Sequence, residues 1–298
     1  MKARFILRHW PWWAVAVFAV VFGIWMVGTI QQWQTLRWIE RGGGDYFTKS
    51  GVATKLVPPP IQRWLNVRFG KRWSAPFDSV TNISLGSVEV SASDLAHLGR
   101  LQNLEALHLR GTNVSDDLLL EYLGAFSQLR TLNLGETPVG DRGIRVLREL
   151  PNLEQLRLNH TKVTDAGLLH LRECERLREL ILAKCQITDI GLSHLRQCHE
   201  LRALNLDGTR ISDAGLIHLK NLSNLEILFI SSNGITDKGM IHLEELSNLK
   251  KLFVVGTRVT NAERAWLKKA LPSLEVVPAK APPVWPEALP GLEPIGGI

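Results

Sequence analysis

The sequence predicts an α/β solenoid, a curved parallel sheet with short helices on its outer side, preceded by one transmembrane helix. Three observations carry this. A 24-residue pattern recurs seven times between Leu104 and Leu274. An uncharged stretch of 21 residues runs from Trp10 to Ile30. The charge is divided unevenly: residues 1–77 hold 11 Lys/Arg against 2 Asp/Glu, while residues 78–278 hold 23 against 25.

Residues 1–9 form a short basic tail with Lys2, Arg4 and Arg8 and no acid. Residues 10–30, wound as a helix, are roughly 31 Å long, about one hydrocarbon core. Six of the ten tryptophans (Trp10, Trp12, Trp13, Trp25, Trp33, Trp38) sit in or beside this stretch, as interfacial aromatic belts do. A cleaved signal peptide has a shorter apolar core and a small-x-small cleavage site, and no such site follows Ile30. Three basic residues precede the span and three follow it (Arg37, Arg41, Lys49), so the positive-inside count is a tie. The very short N-terminal tail instead predicts a cytoplasmic N-terminus and repeats outside the cytoplasm.

Residues 31–77 read as a basic juxtamembrane linker, broken by Gly42 to Gly44 and Pro58 to Pro60, with a short helix possible from Ile61. Lys49, Lys55, Arg63, Arg68, Lys71 and Arg72 run without an acid between them. Beside an anionic leaflet each adds on the order of 1 kcal/mol of attraction. In a solvated linker they add nothing specific.

The repeat domain spans residues 78–278. Its first leucine recurs at Leu104, Leu129, Leu153, Leu177, Leu201, Leu225, Leu249 and Leu274. Apolar residues follow three and five positions later, as in Leu156/Leu158 and Leu204/Leu206. A spacing of two is the strand period, so each repeat contributes one short strand with one buried face. A V/I-x-D step then places Asp116, Asp141, Asp165, Asp189, Asp213, Asp237 and Asn261 where a helix begins, and each is predicted to be its N-cap. A divergent copy (Val80, Ile83, Leu85, Val88) is expected to cap the N-terminal end. One unit cannot bury its leucines alone, but stacked units build a continuous core. Residues 279–298 close the chain as a proline-rich, extended or disordered tail.

The L-x-x-L-x-L-x-x-T/N/C-x-I/V pattern resembles the leucine-rich repeat family over about residues 80–277. The T-D-x-G-L-x-x-L segment is similar to the cysteine-containing subclass of F-box-type ubiquitin-ligase receptors and many bacterial proteins. With the preceding anchor, the chain resembles bacterial membrane-anchored leucine-rich repeat proteins. The usual Asn or Cys position is mostly Thr here: Thr112, Thr137, Thr161, Cys185, Thr209, Asn233 and Thr257. These are expected to satisfy turn backbone groups of the adjacent coil. No F-box segment is read before the repeats, so ligase function is not carried over.

Several rows of chemistry-bearing residues belong to the repeat itself. His97, His170, His194, His218 and His242 share one repeat position, spaced far from a chelating i, i+4 pair. Cys174 and Cys198 occupy matching positions, and with Cys185 they read as small buried residues. Asn82, Asn113, Asn159 and Asn221 match the glycosylation acceptor pattern, which has meaning only on a eukaryotic secretory route. No phosphate-binding loop, dinucleotide fingerprint, zinc-protease or hydrolase motif occurs, so no catalysis, cofactor, metal or small-molecule substrate is expected. Because the repeat domain is slightly acidic, nucleic-acid binding is not expected either.

What remains lies between the strand leucines, on the concave side. The central row reads His108, Asn133, Arg157, Ile181, Asn205, Phe229 and Phe253, and the row after it Arg110, Gly135, Asn159, Ala183, Asp207, Ser231 and Val255. The first half is polar, with His108, Arg110, Arg157 and Asn159. The second groups Ile227, Phe229, Phe253 and Val255, with Ile181 between. An exposed aromatic cluster of this kind marks a partner site unless a capping segment or the tail covers it. A membrane-anchored module binding a protein or peptide on this face is the function predicted. An adaptor of an intracellular, ubiquitin-ligase-like complex and an envelope scaffold for glycan or cell-wall polymer are the alternatives.

Overall fold

The computed structural model describes residues 45–49, as backbone, together with 79–99, 101 and 103–277. The chain divides into two compact units, residues 1–81 and 82–298. The first contains the described strand Asp45–Lys49 (β1), an element the linker reading did not anticipate. The predicted span 10–30, the rest of the linker and the tail 279–298 lie outside the described residues. No helix among the described residues is long and apolar enough to cross a membrane.

The repeats begin with Ser79–Ser84 (β2) and continue through Ala106–His108 (β3), Thr131–Asn133 (β4), Gln155–Arg157 (β5) and Glu179–Ile181 (β6). Ala203–Asn205 (β7), Ile227–Phe229 (β8), Lys251–Phe253 (β9) and Glu275–Val277 (β10) complete the series. From β2 onward each strand pairs in parallel with the next, in sequence order and in the register of the repeat, so that Leu107, Leu132, Leu156, Leu180, Leu204, Leu228 and Leu252 form one row. These seven leucines are fully buried. Burying each stabilises the fold by ~2 kcal/mol.

Three residues after the end of each strand from β2 to β9 comes a residue with left-handed backbone: Ser87, Gly111, Glu136, His160, Lys184, Gly208, Ser232 and Gly256 all have φ between 56 and 70°. This turn sends the chain out of the sheet toward the helical side. There the middle repeats carry a single α turn, as in Asp189–Leu192, followed by a 3-10 turn, Ser193–Gln197. The helices toward the two ends of the array are longer, as at Asp116–Tyr122 and Asn261–Ala270.

The helix N-caps differ from the sequence expectation. In four of the repeats the capping residue is the Ser or Thr before the aspartate: Thr164, Thr188, Ser212 and Thr236 accept from the second backbone N–H of their helices. The aspartate reaches into the next repeat instead. Asp165 accepts from the Thr188 backbone N–H at 2.8 Å and the Thr188 hydroxyl at 2.5 Å. Asp189 does the same to Ser212, Asp213 to Thr236 and Asp237 to Thr260. A β-region residue preceding the helix leaves its hydroxyl free to cap, while the carboxylate one position later points along the stack. This also explains the glycine of D-x-G: a Cβ on Gly191 would overlap the Asp165 carboxylate, and one on Gly215 that of Asp189.

The Thr/Cys/Asn row also departs from expectation in its detail. Thr112, Thr137, Thr161, Thr209 and Thr257 donate to a carbonyl three residues back in their own turn, at 2.6–2.7 Å. In this row Cys185 and Asn233 donate to a backbone carbonyl of the adjacent coil, Leu158 O at 2.9 Å and Leu206 O at 2.8 Å, while the Thr209 hydroxyl meets the adjacent coil at the Asn233 side chain, 3.0 Å away. The shorter threonine side chains bond the carbonyl of their own turn and not that of the neighbouring coil. Cys174 and Cys198 are free and buried. Burial pushes their thiols up to about 12 and about 11.

Candidate concave binding face

The alternation of the strands places three rows on the concave side. Register aligns His108, Asn133, Arg157, Ile181, Asn205, Phe229, Phe253 and Val277 as successive rungs, about 4.8 Å apart. The rungs differ in chemistry because the repeat leaves these positions free.

At the polar end, Thr131 donates to Gln155 Oε1 at 3.0 Å. On the next rungs Arg157 donates through Nε and Nη2 to Glu179 Oε1 at 3.3 and 3.2 Å. The Glu179 side chain is 3% exposed and that of Arg157 22%. Burying a carboxylate is costly without such a partner. Arg110 pairs with Glu136 at 2.9 Å on the exposed rim. His108 is half-buried next to these cations. Burial first, and the Arg157 charge second, lower it to about 4, so it is a neutral imidazole at physiological pH. Burial draws Arg157 itself down, an effect opposed by Glu179.

The row at the strand ends ties the rungs together. Asn205 Oδ1 accepts from the Asp207 N–H at 2.9 Å, Asp207 from the Ser231 N–H at 2.6 Å, and Ser231 Oγ from the Val255 N–H at 3.2 Å. Burial raises the Asp207 carboxyl above its ordinary value.

The apolar end is not the exposed cluster that the sequence reading expects. Phe229 has no exposed surface, and Ile181, Ile227 and Phe253 keep only 6, 7 and 7%. The Phe229 and Phe253 rings stack with centroids 3.9 Å apart and planes within 3°. Ala203 and Ile227 join them in one cluster, against which Val277 packs. Adjacent rungs at strand spacing thus cover each other's ring faces. Val255 remains half-buried.

The predicted residues are therefore divided into two groups. His108, Arg110 and Arg157 are close enough for their charges to act on one another, and Asn159 projects beside them over Gly135, where a Cβ would meet its side chain. Ile227, Phe229 and Phe253 form the second group, with Ile181 two rungs before Phe229. Sequence reasoning missed Glu179. Its signal was present: one buried-row acid following Gln155 in a row otherwise neutral up to Ile227.

The histidine row lies on the helical side. His194 and His218 accept through Nδ1 from Arg172 and Arg196, at 2.8 and 2.5 Å. Burial and these guanidinium charges lower both imidazoles. Among the described residues no cluster of His, Cys, Asp or Glu is arranged to hold a metal ion.

Four segments, residues 149–171, 173–195, 197–220 and 221–243, match the leucine-rich repeat family model. No curated protein matches the chain. Among solved structures it is similar to an internalin, inlF, from Listeria monocytogenes str. 4b F2365, at 22% identity and a TM-score of 0.53. That match covers 65% of this chain and 52% of the internalin, so this chain spans about half of that protein's length. It is also similar to internalin C2 of the same strain, at 24% identity and a TM-score of 0.55, covering 74% of this chain and 93% of that one. At such identities the likeness is one of fold.

Proposed function

We propose that this chain, a leucine-rich repeat protein, is a membrane-anchored interaction module that binds a protein or peptide on its concave sheet face. The observation that carries the reading is the change in chemistry along rungs that the repeat does not dictate, from His108, Arg110, Arg157 and Asn159 to Ile181, Ile227, Phe229, Phe253 and Val255. The parallel sheet from β2 to β10 has nine strands, and its eight spacings make a face about 38 Å long, which suits a protein-sized contact. Arg110, Arg157, Asn159 and Val255 are the groups a partner reaches first, and the stacked phenylalanines form the floor of the C-terminal end. The anchor at residues 10–30 holds this face at the bilayer, and the tether raises its local concentration for a partner on the same membrane.

The test is partner recovery by the full chain. Arg110→Glu with Asn159→Ala alters the concave rim without touching the leucine core and is expected to lower recovery about tenfold. Lys220→Glu, on the helical side, leaves it unchanged. Equal recovery by both variants would exclude the concave face. Orientation has its own readout: protease added outside intact cells cuts the repeats if they are extracytoplasmic, and protection of the repeats contradicts that placement.

A further inference from the structure

One row along the sheet alternates in charge and is interrupted once. The residues just before β3 to β9 are Glu105, Arg130, Glu154, Arg178, Arg202, Glu226 and Lys250. Opposite charges on adjacent strands attract and like charges repel. In this row only Arg178 and Arg202 set like charges on neighbouring strands. Their backbones are joined directly, the Arg202 N–H donating to Arg178 O at 2.8 Å. Their side chains therefore start one strand spacing, about 4.8 Å, apart.

Ion pairs divide the row into two sets. Glu154 takes Arg130 at 3.0 Å and Arg178 at 3.2 Å. Glu226 takes Lys250 at 2.6 Å and Arg202 at 3.7 Å. Each set has two cations and one carboxylate, a net charge of +1, and the two sets meet at Arg178 and Arg202. Glu179, the nearest acid on the strand, faces the concave side and holds Arg157. Arg176 and Glu200, two positions before the arginines, are of opposite charge.

Arg178 has donors that its neighbours do not use. Its Nη1 bonds Glu154, whereas its Nε is covered and meets no acceptor. A covered donor without an acceptor is a cost to the fold. The Arg178 and Arg202 side chains are 35 and 36% exposed, so a ligand reaches both.

We propose that Arg178 and Arg202 form an oxyanion site whose ligand is the carboxylate of an acidic side chain on a peptide partner. The row itself shows the preference, since Glu154 and Glu226 are each a carboxylate held between two cations. At the junction no strand lies between the arginines to supply a third carboxylate, and the partner's takes that place. Guanidinium forks match carboxylate oxygens in pairs. The site lies where β6 and β7 begin, beside Ala203 of the apolar cluster. A peptide with apolar residues next to an acidic one fits both. That the partner is a peptide rests on the concave-face reading above; the oxyanion site itself does not.

The probe is the peptide acetyl-Leu-Glu-Leu amide, titrated into the full chain in non-ionic detergent at constant ionic strength. A ligand that binds only the folded state raises the thermal midpoint in a saturable way. The peptide is expected to do so, and its isosteric Leu-Gln-Leu analogue is not. Arg178→Gln and Arg202→Gln are each expected to weaken binding about tenfold. Arg130→Gln, which removes the other cation of Glu154, is expected to leave it unchanged and reports what the loss of an ion pair alone does. Arg202→Gln carries the test if Arg178→Gln fails to fold. No saturable rise, an equal rise with the Gln analogue, or binding that all three variants weaken alike or none weakens overturns the site. Inorganic phosphate is titrated in parallel, and saturation by phosphate with none by the peptide overturns the carboxylate assignment. Failure here leaves the substitution test of the concave rim untouched, and failure of that test leaves the titration as measured.

Discussion

At Gly191 a single hydrogen atom decides how two repeats join. The Asp165 carboxylate occupies the space a Cβ would need, because it holds both the backbone N–H and the hydroxyl of Thr188. Gly191→Ala is expected to destabilise the domain by about 1–3 kcal/mol through overpacking, read as a lowered denaturant midpoint. In an Asp165→Ala background the same substitution costs less, since the obstructing group is gone, and a double-mutant cycle reports the coupling. His108 gives a second prediction. Unfolded, it takes up a proton near its ordinary value of 6.5; folded, only near about 4. Between these values the unfolded state binds more protons, so this residue's contribution to stability falls as pH drops through that window and is constant above it. Arg157→Met is expected to move the His108 midpoint upward, yet still below 6.5, because burial is the larger cause; imidazole resonances followed by NMR check this. Aspartate and glycine were both legible as fixed positions of the repeat. What each one contacts was not, because a capping Thr and a capping Asp one position apart have the same sequence signature. The partner only emerges once repeats are stacked.

Elements show the same division at the next level. Strand positions, register and the buried face follow from the leucine spacing, since a period of two leaves one way to bury Leu107 or Leu228. The left-handed turn after each strand was not legible. Three of its eight residues are glycine, while Ser87, Glu136, His160, Lys184 and Ser232 adopt the same φ without it. At Gly208 a side chain would meet both a positive φ of 62° and the Lys184 side chain. Gly208→Ala is expected to cost about 1–2 kcal/mol, measured by thermal or urea unfolding. Buried thiols offer a readout of the helix-to-strand returns: Cys174 and Cys198, pushed up to about 12 and about 11, should resist alkylation in the folded chain and react only on unfolding, as mass spectrometry would detect. Rapid labelling under native conditions would mean that these returns open.

For the whole molecule, the repeat makes a surface and the off-repeat residues give that surface its character. Solenoids are quasi-one-dimensional, each unit touching only its neighbours, so a change on one rung leaves distant rungs intact and the face can be probed rung by rung. The concave assignment of Arg157 and Phe253 was readable from alternation alone. The burial of Phe229 was not, because exposure depends on ring stacking and on what lies above the sheet, neither of which a local pattern encodes. A second surface competes for the role of partner site. On the helical side Ile190, Ile217 and Ile241 keep 68, 40 and 51% of their surface exposed. Site-specific photo-cross-linking in the full chain, expressed in its own cells, separates the two most directly. A photoreactive residue at Asn159 or Asn205 on the concave face is expected to trap a discrete partner, and one at Ile217 or Ile241 is not. Cross-links confined to Ile217 and Ile241, with none from Asn159 or Asn205, would contradict the concave face as the binding surface.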